Sequence, residues 1–210
     1  MSLYSISFKA AKLLARETEL EPGGVDSLRF GLEIILGTLI KTVILLTAAY
    51  FLDILPPVIM ALGCGSVLRL VSGGVHFSTY PRCLTCGLLI YLAAGEVGVS
   101  LAAYLNQHQL TIILAGCFAA MALGACRWAP AEVPYRTISD RESVIFKIAA
   151  LVFLGALLAC FLFSRRLDPS YILAGLGALI AQTFSFTPLG YALFGRLDNW
   201  LSNIILGKGR

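Results

Sequence analysis

Two side chains in this sequence, His76 and Cys83, are of the types that carry nucleophilic catalysis and stand seven residues apart. A thiolate attacks a carbonyl carbon, and an imidazole within about 3 Å takes the proton and returns it. On one continuous helix this spacing puts both on one face but about 10 Å apart along the axis. A working pair therefore requires a break between them. Pro81 supplies one, because it disfavours a helical conformation at Tyr80 and suits the first position of a new helix. Thr79 or Tyr80 is then the cap, and Cys83 falls in the first turn. Unpaired N–H groups and the positive end of the helix dipole favour a thiolate there. Arg82 adds a neighbouring cation, and Gly73-Gly74 allows a sharp turn that folds His76 over Cys83. The ordinary reading of the same residues is a solvated loop histidine and a small apolar filler, the role expected of Cys64, Cys117, Cys126 and Cys160. Cys86 completes a C-x2-C pair with Cys83, so thiol–disulfide exchange is a second possible chemistry. No second pair stands at zinc spacing, and neither a metal nor a cofactor is expected.

The elements that must position these residues follow from composition. The 210 residues are 58% hydrophobic and only 13% charged, with a mean hydropathy of +0.84. Soluble domains carry about 45–50% apolar and about 25% charged residues. Disorder is excluded over most of the chain. A net charge of +4, scattered along the sequence, gives no footprint for nucleic acid. The chain reads as an all-α integral membrane protein.

Six apolar stretches approach the length of about 20 residues that a crossing helix needs. They are Phe30 to Phe51, Ile54 to Leu70, Cys83 to Leu105, Leu110 to Trp128, Val144 to Phe163 and Tyr171 to Phe194. The second is short and starts at Pro56-Pro57, so a tilted or re-entrant path is open to it. The last carries Pro188 and Gly190 and is expected to end near Thr187. Residues 1–29 form an amphipathic surface helix and linker, broken at Glu21-Pro22-Gly23-Gly24. Residues 30–194 form the transmembrane domain, and 195–210 a cytoplasmic tail. With the N-terminus inside, 13 of the 16 Lys and Arg lie on the cytoplasmic side. The exceptions are Lys41 in the first span and Arg165-Arg166 outside, so both termini are expected in the cytoplasm. Glu33 near the cytoplasmic end of the first span is placed to face the site. Lys41 and Glu96 are expected to pair between helices, and Gln182 to make a hydrogen bond within the bundle. Arg127, Arg136 and Arg141 cluster in the loop after the fourth span. They form either a docking patch for an acidic peptide or ordinary positive-inside anchoring.

The stretch Arg69 to Cys86 resembles the AgrB family, the membrane endopeptidases of Gram-positive peptide quorum sensing, through Arg69, Gly73-Gly74, His76 and Cys83 in the order R-x3-GG-x-H-x6-C. Tyr4 to Arg16, Phe30 to Gly37 and Ala129 to Pro134 extend the likeness. The resemblance implies six transmembrane helices, a homodimer in the bacterial cytoplasmic membrane and an active site near the cytoplasmic face. It implies that Cys83 is the nucleophile and His76 the general base and acid, with Arg69, Gly73 and Gly74 supporting them. The implied reaction cleaves near the C-terminal part of an AgrD-like precursor through an acyl thioester, which a precursor cysteine then closes into a thiolactone ring. Phe77 departs from the family, where a smaller residue is expected, and Cys86 is not required by it. The alternatives are a thiol–disulfide oxidoreductase using Cys83 and Cys86, and a non-catalytic transporter or scaffold.

Overall fold

The computed structural model describes residues 3–17, 22–75, 77–131, 139–164 and 167–207. His76, Glu132, Arg136, Arg165 and Arg166 lie outside the described residues. Those described form eight helices and no strand: α1 (Leu3–Glu17), α2 (Pro22–Phe51), α3 (Leu55–Ser72), α4 (Tyr80–Ala102), α5 (Gln107–Trp128), α6 (Asp140–Phe163), α7 (Pro169–Ser185) and α8 (Pro188–Gly207). The chain divides into two units, 1–48 and 49–210.

In the first unit, α1 turns Leu13, Leu14, Ile6 and Tyr4 outward while Ala11 and Ser7 are buried. Tyr4 stacks on Phe8, and the Arg29 guanidinium lies 4.7 Å from the Tyr4 ring centre. Arg29 also pairs with Asp26 and Glu33, each at 2.8 Å. The expected linker is shorter than the sequence suggested. Pro22 opens α2, and Gly23-Gly24 belong to the helix, because a proline is tolerated in a first turn where its missing N–H has no helical partner anyway.

In the second unit α7 is the axis. It packs against α3, α4 and α5, and most of its residues are buried. Lipid tails are as apolar as leucine, so such contacts depend on close packing rather than on burial from water. Gly98 of α4 shows how close the packing is: a Cβ there would sit 2.6 Å from the Ser170 carbonyl oxygen and 2.8 Å from the Ala174 nitrogen. On the other side, α5 meets α6 through the edge-to-face rings of Phe118 and Phe161.

Five helices, α2 to α6, are long and apolar enough to cross a membrane, and the α7–α8 pair makes a sixth if it is counted as one broken span. The chain is thus a multi-pass membrane protein. The second span, α3, has the full 18 residues. The last expected span, Tyr171 to Phe194, is not straight. It stops at Ser185, and α8 leaves at 86°. Pro188 forces this break, since it cannot donate to the preceding turn. Part of the expected tail is accordingly helical, through Gly207. Two helix starts lie earlier than hydropathy placed them. Ser139 caps α6 reciprocally with Glu142, and Asn106 caps α5 with Gln109; both are polar capping boxes lying ahead of the apolar run.

Candidate active site

Thr79 is extended and caps α4, Tyr80 and Pro81 open it, and Cys83 follows in its first turn. The break that the sequence required thus lies between residue 76 and Cys83. The Cys83 N–H donates to the Thr79 carbonyl at 3.1 Å. That amide is therefore committed to the helix, and Pro81 has none to offer. Arg82, between them, is the other residue of this turn that carries a backbone N–H close to the Cys83 sulfur's end of the helix. Cys83 and Cys86 are both half-buried, and neither is in a disulfide.

Upstream, α3 ends at Ser72. Gly73, with φ of +66°, donates its N–H back to the Arg69 carbonyl at 3.0 Å. Gly74 follows with φ of +141°. A side chain at Gly74 would sit 2.5 Å from Ser185 Oγ and 3.4 Å from Arg69 Nη1, so the position has no room for a Cβ. The double glycine turns the chain and lets its backbone lie directly on the end of α7.

Four side chains fix that turn. Arg69 Nη2 donates to the Val75 carbonyl at 2.7 Å, and Nη1 donates to Gln182 Oε1 at 3.2 Å. Gln182 Nε2 donates to the Gly73 carbonyl at 2.7 Å and to Ser72 Oγ at 3.1 Å. The Val75 N–H donates to the Ser185 carbonyl, and Ser185 Oγ donates to the Gln182 carbonyl at 2.7 Å. Both polar ends of buried Gln182 are satisfied, which makes the network rigid rather than costly. The segment after α5 joins it: the Ala131 N–H donates to the Ser72 carbonyl at 2.8 Å. Arg69, Gly73 and Gly74 are thus brought together, and they hold the residue just before His76.

Beyond residue 76 the loop is held by α8. Phe77 meets Phe194 edge-to-face, with ring centres 5.8 Å apart. The Ser78 N–H donates to Asp198 Oδ2 at 3.1 Å. Arg82 Nη1 reaches Asp198 Oδ1 at 2.9 Å, Ser202 Oγ at 2.6 Å and Ser78 Oγ at 3.0 Å. Arg82 is therefore engaged in an ion pair with α8. Its Nε is buried with no partner among the described residues.

Of the other expected site residues, Glu33, Arg127 and Arg141 are among those described. Glu33 is on α2 in the first unit, where its carboxylate accepts from Arg29. Arg127 ends α5 and lies over the Trp128 ring, and Arg141 is exposed in the first turn of α6. Both belong to the end of the α5–α6 hairpin that carries the 129–139 connection. His108 is exposed at the start of α5. Asp198, Ser78, Ser185 and Phe194 were not read from the sequence as site residues. The sequence carried a signal only for Asp198, a carboxylate four residues before Ser202 within an apolar helix.

No curated protein and no solved structure matches the chain. The family profile of AgrB, accessory gene regulator B, matches residues 7–186, which spans well over half of the sequence and includes the whole double-glycine loop and the start of α4. The chain belongs to the AgrB family, and that membership supports a role in agr quorum-sensing peptide processing.

Proposed function

We propose that this protein is a membrane-embedded cysteine endopeptidase acting on an AgrD-like precursor at the bacterial cytoplasmic membrane. In this reading the Cys83 sulfur attacks a backbone carbonyl near the C-terminal part of the precursor, and His76 takes the thiol proton. His76 then returns that proton to the departing amine as the peptide bond breaks. The products are a released C-terminal segment and an acyl thioester on Cys83. A cysteine thiol of the precursor attacks the thioester, giving up its proton through His76. Cys83 is released and the new thioester closes a thiolactone ring. Thioester exchange keeps the acyl group activated, so ring closure needs little further driving force. It does need water held away, which a site at the membrane rim favours.

The observation that carries the reading is the way the two halves of the motif are anchored. The residue before His76 is tied to α7 through Arg69 and Ser185. The residues after it and the residue before Cys83 are tied to the same stretch of α8. A loop fixed on both flanks restricts where an imidazole can lie, which is what a preorganised pair requires. The Arg82 amide at the start of α4 is the candidate oxyanion donor. The excess of Lys and Arg on one side supports a site near the cytoplasmic face. Arg127, Arg136 and Arg141 offer a docking patch for an acidic precursor tail, and the working unit is a homodimer.

The test uses full-length protein in lipid vesicles with AgrD-like precursor peptides. Cys83→Ala abolishes release of the C-terminal segment and His76→Ala lowers it severely, whereas Cys86→Ala retains most of it. Mass spectrometry finds the acyl adduct on Cys83. Cleavage by Cys83→Ala would refute the assignment.

A further inference from the structure

The loop through residue 76 and the turn bearing Cys83 are adjacent in sequence, but a side chain far along the chain joins them. Asp198 lies 120 residues beyond Ser78 and 116 beyond Arg82, and it accepts from both. Phe194, Asp198 and Ser202 recur every fourth residue and so share one face of α8. Phe194 holds Phe77, and Ser202 takes the same guanidinium as Asp198. The Arg82 and Asp198 side chains are only 11% and 17% exposed, so salt screens their attraction weakly. The 86° bend after α7 brings this face to the loop.

We infer that Asp198 is a positioning residue that sets the separation of the His76 imidazole and the Cys83 sulfur, by bonding the residue two beyond the one and the residue before the other. The inference rests on the Cys83–His76 reading. Asp198 acts only through Ser78 and Arg82. Removing its charge frees the downstream flank of the loop to shift against α4, while the upstream flank stays tied to α7. A displacement of about 1 Å within a catalytic pair costs up to about a hundredfold in rate.

The test is the pH profile of Cys83 alkylation by N-ethylmaleimide in the full-length protein in lipid vesicles, with Cys83 and Cys86 read separately by mass spectrometry. His76→Ala defines the rate without the imidazole. Wild type exceeds that rate near neutral pH. Asp198→Asn, which is isosteric but uncharged, loses about tenfold of that advantage, and its profile moves towards that of His76→Ala. Asp198→Glu restores most of it. Protection of buried Cys64 from the reagent reports that the bundle is folded. If Asp198→Asn exposes Cys64, Arg82→Gln removes the same ion pair from the other side and is expected to give the same shift. A folded Asp198→Asn or Arg82→Gln with the wild-type profile overturns the inference and leaves the dyad standing. Coincidence of wild type with His76→Ala overturns both.

Discussion

Gly74→Ala isolates the physics of the double-glycine turn. The new methyl meets Ser185 Oγ at 2.5 Å, with Gln182 Nε2 at 3.3 Å and Arg69 Nη1 at 3.4 Å. Three terms add. Holding alanine at φ of +141° costs about 1–3 kcal/mol. Ser185 Oγ must move, which gives up its bond to the Gln182 carbonyl for about 1 kcal/mol. Any shift of Gln182 also strains its contacts to Ser72 and Gly73, so the total is about 2–4 kcal/mol. For a chain of this size that corresponds to a fall in Tm of about 5–15 °C. The assay is thermal unfolding in detergent micelles, followed by thiol labelling with Cys64, which is 4% exposed in the fold, read separately from the other five cysteines by mass spectrometry. Ser185→Ala alone is milder, and in its background Gly74→Ala costs about 1 kcal/mol less because the colliding oxygen is gone. Gly63→Ala is the control. It lies in the same helix as Arg69 with nothing within 4 Å of its added Cβ, so it is neutral or stabilises by up to about 1 kcal/mol. A Gly74→Ala variant within 1 °C of wild type, on a scale of about 2–4 °C per kcal/mol, or one whose cost is unchanged by Ser185→Ala, refutes the reasoning.

Other outcomes follow from the same geometry. Arg69→Lys removes the fork that serves the Val75 carbonyl and Gln182 together. It is expected to cost about 1–3 kcal/mol in thermal stability, since one ammonium cannot reproduce both bonds, and to cut precursor cleavage more than Cys86→Ala does. Asp168 caps α7 by accepting from the Ser170 N–H and hydroxyl, and those bonds hold its carboxyl below the usual aspartate range. Its folded-state value is thus depressed, so its contribution is full above the unfolded-state value of about 3.9 and is lost as pH falls through the folded one. Asp168→Ala therefore lowers Tm near neutral pH, by a cap's worth of about 0.5–2 kcal/mol. The difference from wild type shrinks as unfolding scans are taken below about pH 4.

The loop and the bundle were legible in the sequence to different degrees. Hydrophobic runs announced α3 to α6 because a bilayer dictates helix length whatever the neighbours are. Pro81 announced the start of α4, and the double glycine announced a turn, because both act through their own backbone. Helix starts at Asp140 and Gln107 were placed late because hydropathy ignores the polar first turn that Ser139 and Asn106 cap. Pro188 and Gly190 announced an end to the last span near Thr187, and α7 stops at Ser185; the 86° turn of α8 was not legible, because apolar content carries no direction.

By itself the sequence determined a many-helix membrane protein with a cysteine, a histidine and a backbone break between them. Lipid length, proline and glycine act locally, so no fold need be known to read them. Only the tertiary structure decided what holds the loop. Arg69 meets Gln182 across 113 residues and Ser78 meets Asp198 across 120. Those partners face each other only because α7 threads the bundle and α8 turns back at 86° beneath the loop. Hydropathy marks which helices cross, but not which polar side chains end up paired between them.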